Sequence, residues 1–184
     1  MPAANANRVR IIGGLHRGRV LRFPSVPGLR PTPDRVRETL FNWLGQDLTG
    51  RRTLDLYAGT GALSLEALSR GATLAVAVER APALLHALAD NARLIGIVGL
   101  EAHCANAQAF LGREARRFDA IFLDPPFAED PWSTLLPACA ARLAEGGFVY
   151  AEAGRVVTPP AGLTAYRQAK AGNVHYHLFA AAPV

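Results

Sequence analysis

Four residues late in the chain, Asp124-Pro125-Pro126-Phe127, combine an acidic acceptor, a stiffened backbone and a flat ring. The two prolines leave the backbone little freedom and keep the Pro125 carbonyl clear of any following ladder, so that carbonyl and the Asp124 carboxylate become two fixed acceptors. Two acceptors suit an exocyclic –NH2 group, and Phe127 offers a face on which a planar base can stack. The second chemically informative stretch runs from Thr53 to Ala67: a short apolar strand, a glycine turn, then a helix-forming run. Gly59 and Gly61 can adopt backbone angles closed to other residues and let a ligand approach the main chain. The helix that follows aims its free N–H groups at such a ligand. Asp55, at the end of the strand, would repel a pyrophosphate and suits a cationic or hydroxyl-bearing ligand, which favours S-adenosylmethionine over NAD. Ser64 also stands where the third glycine of a dinucleotide fingerprint would be. Glu79, 18 residues beyond Gly61, sits where a carboxylate accepts from ribose hydroxyls. The amide of Asn106 can both accept from and donate to an adenine edge.

Bringing these residues together requires alternating strands and helices. Thr53 to Tyr57 reads as a strand, and a helix from about Ala62 ends near Arg70-Gly71. Ala72 to Val78 is a buried parallel strand ending at Glu79, Pro82 to Ile95 an amphipathic helix, and Leu100 to His103 a third strand. Asp119 to Leu123 is apolar throughout and therefore central, and it runs directly into the proline turn. Pro131 to Leu143 reads as a helix containing Pro137 and ended by Gly146-Gly147, followed by a strand over Phe148 to Ala153. Leu163 to Ala169 and Val174 to Ala180 form an antiparallel pair around Gly172-Asn173. His175 and His177 are expected to point outward there and, with no third ligand nearby, make no metal site.

Ahead of this core, residues 1–7 read as disordered. Arg8 to Phe23 reads as a basic β-hairpin around Gly13-Gly14, with Arg17, Arg19 and Arg22 on one exposed side. Pro24 to Pro33 is a proline-broken connector. Thr32 is the expected N-cap of a helix from Asp34 to Leu44, with Arg30, Arg35 and Arg37 bracketing its anion-attracting start. Charge concentrates in this part: residues 1–52 hold ten arginines against three carboxylates, a net +7, leaving −2 for the rest. Such asymmetry points to a polyanion held through its phosphates. At 184 residues the chain is expected to be a single domain, with a monomer as the default. Two cysteines, no apolar leader and no long apolar run lead to the expectation of a soluble, cytoplasmic protein needing no metal.

The alternation and terminal hairpin resemble a class I S-adenosylmethionine-dependent methyltransferase, an α/β fold with a Rossmann-like doubly wound seven-stranded sheet, here with an N-terminal basic β-hairpin extension. Asp124-Pro-Pro-Phe127 resembles the Asp/Asn-Pro-Pro-aromatic motif of enzymes that methylate planar amino nitrogens. Arg10-Ile-Ile-Gly-Gly, Arg17-Gly-Arg and Leu29-Arg-Pro-Thr-Pro-Asp-Arg-Val-Arg-Glu-Thr-Leu-Phe-Asn-Trp-Leu44 resemble the RsmD family of bacterial 16S rRNA guanine-N2 methyltransferases over residues 8 to about 180. The resemblance implies residues 34–184 as the catalytic core, with Asp124, Pro125, Pro126 and Phe127 at the reacting amine. Asp55, Ala58, Gly59 and Gly61 would lie along the methionine part of S-adenosylmethionine, Glu79 on its ribose, and Asn106 with Ala107 beside its adenine. Arg10, Arg17, Arg19, Arg30, Arg35 and Arg37 would hold 16S rRNA, in the small ribosomal subunit or an assembly intermediate. The tetrapeptide equally fits methylation of DNA adenine N6 or of a protein glutamine amide, and a non-catalytic nucleic-acid-binding protein of the same fold is a further alternative.

Overall fold

The computed structural model describes residues 7–183, so the expectation of disorder for residues 1–6 lies outside the described residues. Asn7, expected to be disordered with them, is held: its amide donates to Ser25 Oγ at 2.8 Å and its carbonyl accepts from Phe23 N. Strands β1 (Arg8–Arg10) and β2 (Val20–Arg22) pair antiparallel as a separate ribbon. Helix α1 (Asp34–Trp43) leads to β3 (Arg52–Asp55), α2 (Ala62–Ser69), β4 (Leu74–Glu79) and α3 (Pro82–Ile95). Then come β5 (Leu100–Cys104), α4 (Ala107–Arg113), β6 (Phe118–Leu123) and α5 (Trp132–Ala140). The chain closes with β7 (Leu143–Ala153), β8 (Leu163–Ala171) and β9 (Val174–Ala181).

Seven strands form one sheet in the order β5-β4-β3-β6-β7-β9-β8. The first five are parallel, and β9 is antiparallel to both β7 and β8. The order reverses between β3 and β6, so their connections leave in opposite directions and a crevice opens at their C-terminal ends. Asp55 ends β3 opposite Phe122, which places Asp124 at the neighbouring tip. Alternate strand residues serve opposite faces. Phe122 and Tyr150 pack with Leu40, Phe41, Leu65 and Leu88 from α1 to α3, while Ile121, Leu123 and Val149 pack with Phe110, Leu135 and Leu136 from α4 and α5.

Every residue of α2 is buried. Its apolar residues leave no polar face for solvent, a pattern stable only between two layers, here the sheet and the N-terminal extension. Glu66, in the middle of α2, accepts from Ile12 N (2.9 Å), Gly13 N (2.7 Å), Arg70 Nε (2.9 Å) and Arg37 Nη1 (3.3 Å). Asn91 of α3 clamps the backbone of Arg22, accepting from its N at 3.1 Å and donating to its O at 2.7 Å. Buried polar groups left without these partners would be costly, so the basic extension is fixed to the core at two places.

Several elements differ from their sequence reading. The hairpin strands are three residues each, and residues 11–19 form the loop between them, with Gly18 N donating to Ile11 O at 2.8 Å. Thr32 does not cap α1: the capping position is Pro33, with no side-chain cap. Gly146 and Gly147 end no helix but lie inside β7, where the pairing with β6 slips between Phe118 and Ala120. A Cβ at Gly147 would come within 2.9 Å of Ala144 O, so the bulge itself explains the glycine. His177 points inward, not outward. It is 1% exposed, its Nε2 accepts from Val157 N at 3.1 Å, its other ring nitrogen lies 3.2 Å from Ala151 O, and burial lowers its pKa.

Candidate active site

The tips of β3, β4 and β6 assemble the first part of the site. Asp55 is 3% exposed and accepts from the Ser64 hydroxyl at 3.0 Å. Burial raises it to about 7 against the opposing Ser64 bond, and the nearby Asp124 and Glu79 charges add to the rise. Glu79 accepts from Gly59 N at 2.8 Å through one oxygen and from Ala81 N at 2.9 Å through the other. These bonds lock the carboxylate against the glycine loop and leave one lone pair on each oxygen for a ligand hydroxyl. Ala58 N donates to Val78 O at 3.0 Å, drawing the loop over the end of β4.

The two glycines of the loop differ in purpose. Both have positive φ, 53° at Gly59 and 77° at Gly61, a region that disfavours a side chain. At Gly61 a methyl group would collide with Leu88, so this glycine serves the packing of α3 on the start of α2. At Gly59 the nearest obstacle is the end of the Leu29 side chain, 3.3 Å from a built Cβ. Leu29 of the connector therefore lies against the glycine loop, and its neighbour Arg30 is exposed. Asn106 caps α4, its Oδ1 accepting from Gln108 N (3.0 Å) and Ala109 N (3.2 Å). Its acceptor is thus occupied, leaving the exposed amide nitrogen as the free group. Ala107 is buried in the core on the α4 side.

At the tip of β6 the ladder to β7 ends with Leu123 opposite Ala151, so Asp124 and the Pro125 carbonyl lie just beyond it. Asp124 shares a hydrogen bond with the carboxyl of Glu152; burial lifts its pKa to about 6, with that bond pulling the other way. Phe127 is 55% exposed beside Gly154, where a Cβ would stand 3.7 Å from its ring. Pro126, Phe127, Trp132, Gly154 and Arg155 border an open hollow of about 300 Å³. A half-buried carboxyl, the carbonyl of the next residue and, two residues further on, an exposed ring bordering a hollow together offer the groups that hold a planar amine.

The basic residues divide. Arg17, Arg19, Arg30 and Arg35 are exposed and have no ion pair among the described residues. Arg10 is exposed but pairs with Asp34 at 3.1 Å. Arg37 contradicts its expected contact with RNA: its side chain is 0% exposed, held by Asp34 (2.5 Å) and Glu66 (3.3 Å), and donates to the carbonyls of Arg10 (2.8 Å) and Thr32 (3.2 Å). Burial lowers its pKa, opposed by the two carboxylates. The helix turn carries Arg37 inward with Val36 and Leu40, leaving Arg35 outside. Glu66 and Glu152 were missed by the sequence reading; in each case the available signal was a lone carboxylate inside an apolar run.

The site fits S-adenosylmethionine. Glu79 retains acceptor capacity for a diol, and the carboxyls at the tips of β3, β4 and β6 suit a molecule carrying sulfonium and ammonium charges.

Comparison with known proteins agrees with this cofactor. The family described as Conserved hypothetical protein 95 matches residues 9–180. Ribosomal RNA small subunit methyltransferase D of Escherichia coli K12 is 38% identical over 181 residues, covering 96% of this chain and 91% of that protein. A solved structure from Escherichia coli, described as a candidate methyltransferase, yhhF, has a TM-score of 0.86 at 35% identity, covering 95% of this chain and 98% of the other. The Thermus thermophilus 16S rRNA N2 G1207 methyltransferase RsmC, in complex with AdoMet and guanosine, has a TM-score of 0.71 at 25% identity, covering 95% of this chain and 49% of the other.

Proposed function

Since the chain belongs to this family, that of ribosomal RNA small subunit methyltransferase D, we propose that it uses S-adenosylmethionine to methylate the exocyclic N2 amine of a guanine in 16S rRNA, within the small subunit or an assembly intermediate. The observation that carries this reading is the pair of acceptors past the end of β6, the Asp124 carboxyl and the Pro125 carbonyl, at the strand tip next to Asp55 and followed in the chain by an exposed Phe127. The likeness to an N2 guanine methyltransferase supports the choice of atom.

The cofactor supplies a methyl group made electrophilic by its sulfonium charge. The chain's own residues hold the nucleophile. The lone pair of the guanine amine is delocalised into the ring, and acceptance of its two N–H bonds by Asp124 and the Pro125 carbonyl favours rehybridisation of the nitrogen toward the transferring methyl. Phe127, stacked on the base, sets the angle of approach. As positive charge develops on the nitrogen, Asp124 offsets it; the product amine then loses a proton to Asp124 or to solvent. Glu79 and the Asp55 region orient the cofactor, and Arg10, Arg17, Arg19, Arg30 and Arg35 grip backbone phosphates without reading sequence.

The test is transfer of labelled methyl to small-subunit RNA and particles, followed by nucleoside analysis, for wild type and Asp124→Ala. Label in N2-methylguanosine that drops roughly 100-fold or more in the variant supports the assignment. Label in another nucleoside, in DNA or in protein glutamine refutes the proposed substrate.

A further inference from the structure

Strand β7 runs parallel to β6, with Phe122 opposite Tyr150 and Leu123 opposite Ala151. The next residues, Asp124 and Glu152, therefore meet just past the last rung, on the face shared by Phe122 and Tyr150. Glu152 is 6% exposed and accepts from the Tyr150 hydroxyl at 2.8 Å. Its carboxyl also shares a hydrogen bond with that of Asp124, and Thr32 of the connector lies nearby. The groups facing it are thus Asp124 from β6, Tyr150 from its own strand, Thr32 from the connector, and Tyr176, its direct neighbour on β9. None is a cation. Two carboxyls can share a hydrogen bond only if one of them keeps its proton, and two adjacent charges without a cation would repel each other in a buried site.

We propose that Glu152 is a positioning residue for methyl transfer: it stays the neutral acid, donates its proton in a hydrogen bond to Asp124, and so turns the free Asp124 oxygen toward the substrate amine. This inference rests on Asp124 acting on that amine, as proposed above. Burial, with the Asp124 charge adding to it, holds Glu152 well above the ordinary carboxylate range. Burial likewise keeps Tyr150 a neutral hydroxyl. The pair then carries one negative charge near neutral pH, and that charge sits on Asp124, which adjoins the Pro125 carbonyl.

The test uses the full chain with Glu152→Gln and Glu152→Ala, both checked for folding by thermal melting. Leaving a buried acceptor without its donor slows kcat of the Ala variant roughly 10- to 100-fold, with little change in KM for the cofactor. The Gln variant, which puts an amide N–H where the acid O–H stood, recovers most of that loss. It also lacks the alkaline fall in rate that the wild type shows as Glu152 ionises. In the infrared spectrum of the free protein at about pH 8, a full-strength carboxylic acid stretch is present in wild type and reduced in the Gln variant to the small remainder from Asp55, because ordinary carboxyls are ionised there. A Gln variant as slow as the Ala variant overturns the proposal, since charge rather than a proton would then be required. A Gln variant whose pH profile superimposes on wild type, or a wild type without the full-strength stretch, overturns it too. A wild type that methylates no RNA removes the functional reading and the positioning role with it, whereas the missing stretch refutes the neutral acid alone.

Discussion

Replacing Asp55 by Asn should stabilise the folded chain in alkaline solution while weakening its hold on the cofactor. Asp55 titrates at about 7 in the fold against about 3.9 in an unfolded chain, which at about 1.4 kcal/mol per pH unit corresponds to roughly 4 kcal/mol. The sign follows from where the proton sits. Between about pH 4 and 7 the native state holds a proton that the unfolded state has lost, so wild-type stability falls as pH rises through that window. Asn carries no charge at any pH and escapes this fall. Its side-chain oxygen still accepts from Ser64, with a loss of about 1 kcal/mol for the weaker neutral bond. The net expectation is a variant more stable than wild type by about 2–3 kcal/mol at pH 8, with the two within about 1 kcal/mol of each other at pH 5. Urea denaturation followed by the fluorescence of Trp43 and Trp132 measures both. A difference of the same size at the two pH values, or a variant less stable at pH 8, refutes the argument that the buried charge is costly. Cofactor titration should move the opposite way if Asp55 faces the cationic ligand as proposed, because the variant loses that carboxylate; such an exchange of stability for function is common at binding sites.

Other consequences are open to direct measurement. Glu79→Gln removes charge from the bond to Gly59 N, and S-adenosylmethionine binding by calorimetry should weaken roughly 10- to 100-fold. Arg37→Met leaves Glu66 buried beside a missing partner and should lower stability by about 3–5 kcal/mol in denaturant melts. Arg35→Ala, two residues earlier but exposed, should shift stability by less than about 0.5 kcal/mol. It should instead weaken RNA binding at every sequence tested and reduce the salt dependence by about one phosphate contact. Equal effects of the two arginine variants on folding would contradict the division between buried and exposed arginines.

Periodicity and local chemistry made much of this molecule legible from its sequence. The apolar runs of β4 and β6, the glycine turn and the proline turn depend on residues adjacent in the chain, and Pro82 to Ile95 appeared as a helix with the bounds the structure shows. What sequence left out were properties that arise where distant segments meet. The glycines at 146 and 147 looked like a helix end because nothing local distinguishes that from a bulge inside a strand. Arg37 looked like its neighbour Arg35, since the direction of a helix face is set by what packs on it; here that is α2, 29 residues on, with a carboxylate waiting at Glu66. His177 looked exposed for the same reason, and Glu152 drew no attention until β7 was seen to lie against β6. Residue types and short spacings determined the glycine loop and the Asp-Pro-Pro-Phe tetrapeptide. Tertiary structure alone decided which charges are buried, because burial and pairing are set by strand order and by the docking of the N-terminal extension, neither of which is written in any single stretch of the chain.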